Sequence, residues 1–269
     1  MSAQPRVGAE SLFFELAGEL RLSILIRLTK NSYRLSKLAS EIDATMQEAN
    51  RNVSRLIDSG LVCKYDDGQY ALTPYGKIII SLIPGYAFLF SQKEYFLEHS
   101  LGDLPSKFIQ RISSFRGCEV VHGVMAIIQR WKSLYNESSS YINEIMAQVP
   151  LDLIETLSTK VEDGVKFSYI FPRNAIIPRG RRKLLQQLGW HKLLAQGLVK
   201  RRMVESVGVM TVFNEKHSCV ILPNLKGEPD LNVMFYGDSR QFHDWCEDFF
   251  SYQWDRAGPF EESKLGHEI

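Results

Sequence analysis

The 269-residue sequence predicts an α+β chain of two parts, and two observations carry that expectation. Residues 34–72, RLSKLASEIDATMQEANRNVSRLIDSGLVCKYDDGQYAL, read as two short helices joined by a turn and followed by a two-stranded hairpin. Beyond residue 163, β-prone runs lie among helical patterns, the order expected of an α/β domain. The length suits two domains, and 45% hydrophobic with 23% charged residues is an ordinary globular composition. The expected division is 1–84 for the first domain, 85–103 for a linker or dimer helix, 104–256 for the second domain and 257–269 for a flexible tail.

Leu12, Leu16, Leu20, Ile24 and Leu28 recur every four residues, with Leu25 beside them, and predict one helix over 11–29. Leu35, Leu38, Ala39 and Ile42 form a second apolar stripe, ended by a turn at Asp43-Ala44. Thr45 followed by Glu48 matches a capping box, which starts a third helix running to about Ser59, with Gly60 as its C-terminal cap. Asp66-Asp67-Gly68 between strands over 61–65 and 69–72 is a hairpin signal. Thr73-Pro74 starts a further helix, expected to be interrupted at Pro84-Gly85. The aromatic-rich stretch 86–99 then follows as either a dimer helix or a packing element between domains. Helices are expected over 104–115, 120–135, 138–148 and about 150–160. Strands are expected over 165–171, 199–203, 207–213, 218–222 and 231–236, with helices over 180–196 and 239–254.

This order in 34–72 is that of a winged helix-turn-helix, whose second helix lies in the DNA major groove. At 3.6 residues per turn, Met46, Ala49, Val53, Leu56 and Ile57 fall on the expected core face of the third helix. Gln47, Asn50, Arg51, Ser54 and Arg55 fall toward the other side. Arginine grips guanine bidentately, and glutamine or asparagine grips adenine. Arg34, Lys37, Tyr65, Tyr70 and Lys77 surround that helix and are expected to touch phosphates. Any solvated helix carries such residues; it is the surrounding order of elements that gives them meaning. The acidic wing tip Asp66-Asp67 works against phosphate contact. The first 83 residues hold ten Lys/Arg and nine Asp/Glu, so one copy should bind DNA feebly, and a homodimer on a palindromic operator is expected.

A second basic region holds ten Lys/Arg between Lys166 and Arg202, with no acid between Asp163 and Glu205. Arg173, Arg179, Arg181 and Arg182 are candidates for an anionic small-molecule effector, because guanidinium forks match carboxylate and phosphate. Flanking DNA and a plain solvated face are the other readings. Asn214, Lys216 and His217 form a second ligand-loop candidate between two expected strands.

No Walker loop, GxSxG, HExxH or GxGxxG occurs, and the six histidines are dispersed, so an enzyme is not expected. Cys63, Cys118, Cys219 and Cys246 are scattered without a CxxC, so neither a metal nor a cofactor is expected. No apolar run approaches the roughly 18–20 residues that span a bilayer. Residues 1–10 lack the apolar core of a signal peptide, which points to a cytoplasmic protein without membrane partners.

RLSKLASEI, QEANRNVSRLIDSGLV and YALTPYGK resemble archaeal winged-helix regulators of the arsenic-repressor superfamily. HSLGDLPSKFIQRIS (99–113), DGVKFSYIF (163–171), VFNEKHSCVILP (212–223) and FYGDSRQFHDWCEDFFSYQW (235–254) resemble the C-terminal domain of regulators of the methanogen filamentation-regulator type. The resemblance implies a transcriptional regulator whose second domain is a phospholipase-D-like sensor. Catalytic members of that fold carry an HxK pair; here His191 is followed directly by Lys192 and His217 by Ser218. The resemblance therefore implies a sensor rather than a hydrolase. A hydrolase with a DNA-targeting head and a protein-interaction scaffold are the alternatives.

Overall fold

The computed structural model describes residues 8–148, 151–173, 175 and 177–265. It is α+β and divides into two compact units, Met1–Ala87 and Phe88–Ile269.

In the first unit the expected single helix over 11–29 is two, α1 (Ala9–Leu16) and α2 (Glu19–Leu28). They separate at Ala17-Gly18, where the Arg21 guanidinium turns back to donate to the carbonyls of Phe14 and Glu15 and so closes the end of α1. Next come β1 (Tyr33–Arg34), α3 (Leu35–Glu41), α4 (Met46–Asp58), β2 (Val62–Lys64) and β3 (Gln69–Leu72). The three strands pair antiparallel in the order β1-β3-β2. Gly60 takes φ 74°, and the Gly60 and Leu61 N–H groups donate to Ile57 and Leu56, closing α4 as expected. Ile24, Leu25, Leu38, Val53, Leu56 and Leu61 are fully buried at the centre.

Helix α5 (Pro74–Ser91) runs through Pro84 rather than stopping there. Proline removes one helical hydrogen bond and costs about 3 kcal/mol in a helix interior. Apolar burial on either side, at Ile80 and Phe88, opposes that loss. The boundary between units thus falls inside a helix. The expected linker 85–103 belongs largely to the second unit: Phe88, Tyr95 and Phe96, the last two on α6 (Lys93–Glu98), pack around Phe235.

The second unit continues with α7 (Ser106–Ile109), a 3-10 turn (Ile112–Phe115), β4 (Glu119–His122), α8 (Val124–Glu137), β5 (Tyr141–Ile145), α9 (Leu151–Glu162) and β6 (Lys166–Pro172). Then come α10 (Arg181–Gln187), α11 (Trp190–Ala195), β7 (Val199–Val204), β8 (Met210–Asn214), β9 (Ser218–Ile221), β10 (Val233–Gly237), α12 (Arg240–Arg256) and β11 (Gly258–Pro259). Eight strands form one sheet in the order β11-β7-β6-β5-β8-β9-β10-β4. Strands β5, β6 and β7 run parallel, and the remaining pairings are antiparallel. Apolar cores lie on both faces. Trp131, Leu134, Leu157 and Trp190 from α8, α9 and α11 cover one; Phe108, Phe115, Phe242, Trp245 and Phe249 cover the other.

Three expectations change here. The segments 120–135 and 138–148 contain strands β4 and β5 and only one helix, α8. The helix expected over 180–196 is broken at Gly189, which sits at φ 63° between α10 and α11. The expected tail 257–269 is ordered across its described part: β11 pairs with β7, Ala257 and Leu265 are buried, and Phe260 stacks under Arg201.

Strand β5 carries a fully buried acid, Glu144, whose carboxylate accepts from Trp131 Nε1 at 2.9 Å and from the Tyr135 hydroxyl. Its second oxygen has no partner. Burial pushes its pKa from 4.5 up to about 7, and burial likewise raises Tyr135. A carboxyl whose folded pKa lies above its unfolded one stabilises fully below about pH 4.5, and that contribution is lost as pH rises toward 7. Glu144→Gln should therefore gain stability relative to the parent between pH 5 and pH 8, by about 3 kcal/mol. Urea unfolding of both proteins at the two pH values measures it; a parent-to-variant difference that does not change with pH rules the assignment out.

Candidate nucleic-acid interface

Helix α4 is fixed at its start by reciprocal bonds. Thr45 Oγ1 accepts from the Glu48 N–H at 3.2 Å, and Glu48 Oε2 accepts from the Thr45 N–H at 2.9 Å. Those bonds hold the Glu48 carboxyl below its usual pKa. From beneath, the helix is seated by Ala49, Val53 and Leu56, all essentially inaccessible. The seat is narrower than the sequence suggested. Met46 and Ile57 were expected on the core face, yet both are exposed, Met46 by half. Ala49, Val53 and Leu56 are spaced by four and three, so they already fill the stripe that two turns present to the core.

Seating and cap leave Gln47, Asn50, Arg51 and Ser54 on one exposed face, at spacings of three, one and three. Among the described residues no hydrogen bond or ion pair engages their side chains. Arg55 differs. Its Nη2 lies 2.6 Å from Glu15 Oε1 and its Nε 3.2 Å from Glu15 Oε2, a bidentate pair across to α1, with the guanidinium 5.1 Å from the Phe14 ring centre. Glu15 also holds Arg21 at 2.9 Å. Arg55 is therefore a tie between α1 and α4 rather than an idle groove contact. Position 15 is forty residues away in sequence, so no local pattern could show the pairing.

The surrounding candidates separate in the same way. Arg34 is exposed at the start of α3, Lys77 is exposed on α5, and Tyr65 is about half exposed at the wing. Lys37 is exposed and paired with Glu41 at 2.7 Å, which raises the lysine pKa and lowers that of the acid. Tyr70 is only 7% exposed; its ring lies in the first unit's core with Lys64 over it, so it is a packing residue. At the wing tip, Asp67 accepts from the N–H and side-chain amide of Gln69, which hold its pKa low. Asp66 is exposed. Met46 was missed as a surface residue: exposed at the helix N-terminus beside Gln47, it offers the kind of apolar group that meets a thymine methyl.

In the second unit the four arginine candidates do not converge. Arg173 pairs with Glu205 at 2.5 Å, Arg179 and Arg182 are exposed, and Arg181 is buried over the Phe171 ring. Arg201 and Arg202 are held by Glu262 and by the Ala257 carbonyl. Asn214 is fully buried. Its amide donates to the Leu134 carbonyl and Ser138 Oγ, and its Oδ1 accepts from the N–H groups of Lys216 and His217. Every polar atom of that amide is used in fixing the β8–β9 turn against α8, which leaves it no capacity for a ligand. Lys216 is exposed, and His217 pairs with Glu137 at 2.9 Å while stacking on Tyr236.

His243, Asp244 and Glu247 place three ligand atoms within 4.8 Å of one another. His243 Nε2 already bonds the Tyr141 hydroxyl and the Asn214 carbonyl, and Asp244 pairs with Arg240, so we assign them to the surface network of α12. None of the described helices is long and apolar enough to cross a membrane.

No protein-family model matches the chain, and no curated protein matches it. Among solved structures, the archaeal chromatin protein TrmBL2, described as showing a novel mode of DNA binding, is 12% identical over 92% of this chain and 95% of its own, with a TM-score of 0.42. HlyU from Vibrio cholerae is 26% identical over 28% of this chain and 86% of its own, at a TM-score of 0.26. Nuc, a phospholipase D family member from Salmonella typhimurium, is 11% identical over 54% of this chain and 99% of its own, at 0.39. All three likenesses are distant.

Thr45→Ala removes the side-chain cap of α4 and should lower the unfolding free energy by about 1 kcal/mol. Chemical denaturation measures that loss, and an unchanged midpoint would mean that the cap contributes nothing to the seating of α4.

Proposed function

We propose that the protein is a homodimeric DNA-binding transcriptional regulator acting in the cytoplasm, with a second unit that senses a small effector. One observation carries the DNA-binding part. Gln47, Asn50, Arg51 and Ser54 stand exposed and unengaged on a helix whose opposite face is buried and whose start is capped. These are the residue types that hydrogen-bond base edges, and they lie in the N-terminal and middle turns that enter the groove in this motif. Arg34 and Lys77 are the free cations suited to phosphate.

Dimerisation follows from two features. The near-neutral first domain offers few phosphate contacts, so a single copy has little electrostatic affinity. Helix α5 exposes Tyr75, Ile78, Leu82 and Tyr86 at helical spacing, an apolar stripe that a second copy would cover. Two symmetric reading heads then match a palindromic operator. We read the second unit as a sensing rather than a catalytic one, a reading supported by the absence of any HxK pair.

Arg51→Ala should weaken operator binding by about 1–3 kcal/mol, with sequence preference relaxed at one position. Genome-wide occupancy of the native protein would supply the operator, and fluorescence anisotropy on that site would compare the variants. No discrete occupancy peaks, or unchanged affinity on substituting Gln47, Asn50 and Arg51 together, would refute the reading helix. Ile78→Glu with Leu82→Glu should leave a folded monomer by sedimentation and weaken operator binding. A variant that stays dimeric would place the interface elsewhere.

A further inference from the structure

The sheet face covered by α9, α10 and α11 holds a depression of about 310 Å³ of empty space, partly open to solvent. Phe167, Tyr169 and Trp190 form its aromatic walls, and Leu157 and Leu185 complete the apolar lining. Phe167 stacks on Tyr169 at 5.1 Å and meets Trp190 edge-on at 6.0 Å. The one charged group in the lining is Arg181, which is 5% exposed.

Three buried polar atoms in this lining have no hydrogen-bond partner: Arg181 Nη1, Trp190 Nε1 and the Tyr169 hydroxyl. Guanidinium and indole N–H are donors only. Among the described residues no carboxylate forms an ion pair with Arg181. A guanidinium keeps its charge at any physiological pH, so burying one without a counter-charge is costly unless an anion arrives. What the depression lacks is an acceptor, and what surrounds that deficit is aromatic and aliphatic.

We propose that this depression binds a small aromatic carboxylate, with one ring between Trp190 and the apolar wall and the carboxylate on Arg181 Nη1 and Trp190 Nε1. It rests on the reading of this unit as a sensing one and names the ligand class. The volume lies at the lower end of ligand pockets, roughly 300–1,000 Å³, which limits the ligand to a single ring. A planar carboxylate matches the guanidinium fork, and a ring adds aromatic contact that a mineral anion lacks.

Phenylacetate titrated into the full-length protein, followed by calorimetry and tryptophan fluorescence, tests this. Saturable binding is expected, with phenylacetamide and acetate each weaker by about tenfold or more, because a site built around unpaired donors rejects a ligand lacking the acceptor. Arg181→Met and Trp190→Phe should each weaken phenylacetate by a similar factor in calorimetry. Trp190→Phe keeps the ring and removes only the donor, so it serves if Arg181→Met does not fold. No saturable binding at millimolar phenylacetate, or equal affinity for the amide, would overturn the proposal, as would full affinity in the folded variants. Operator affinity measured with and without phenylacetate separates the two readings: binding that leaves DNA affinity unchanged supports the pocket and removes the sensing role.

Discussion

A sheet covered by helices on both faces allows its central strands no exposed side, and the second unit is organised by that constraint. Strands β8 and β9 are buried at every position. Polar groups on such strands must find partners inside or go without. Asn214 uses all its amide atoms and becomes a brace. Thr211 donates to the Cys219 carbonyl across the β8–β9 pair. Glu144 satisfies one oxygen and leaves the other bare, and that bare oxygen accompanies its high pKa. Buried polar atoms that remain unpaired are infrequent enough that each needs a reason. In this unit they gather at Arg181, Trp190 and Tyr169 around one depression.

The first unit obeys a different rule. It is small, and its helices bury one stripe each, so what α4 exposes follows from what it seats. Burial of Ala49, Val53 and Leu56 turns Gln47, Asn50, Arg51 and Ser54 outward without any further device. The charges nearby are largely spent on one another: Arg55 and Arg21 on Glu15, Lys37 on Glu41. Rigid internal pairing keeps α1 and α3 in place beside α4, at the cost of cations that would otherwise attract phosphate.

Local signals in the sequence were read well where they sufficed. The capping box at Thr45, the Gly60 stop and the Asp-Gly hairpin each depend on residues within four positions, and each stands where expected. Strands β4 and β5 were missed because their signal is not local. YINEI contains a glutamate that a half-buried strand would put in water, and only the Trp131 and Tyr135 donors explain its burial. The same holds for the sites. Exposed Gln47 and Arg51 followed from helical periodicity, whereas the fates of Arg55, Tyr70 and Asn214 depended on Glu15, the core of the first unit and the end of α8. Arg181 was singled out for its neighbours in sequence, while the aromatic walls around it come from β6 and α11.

The short strand β11 has a further effect, at the boundary of the sheet. Pairing with Met203 and Arg202, it closes the flank of β7, and its second residue is Pro259, which has no N–H to offer a following strand. At the opposite margin β4 is four residues long, with Glu119 and His122 exposed at its ends. Short, charged or proline-tipped margins are how natural sheets resist growing into one another. An eight-stranded sheet rich in aromatic residues would otherwise be an aggregation hazard. With both margins blunted, the sheet is a poor template for adding strands from another chain.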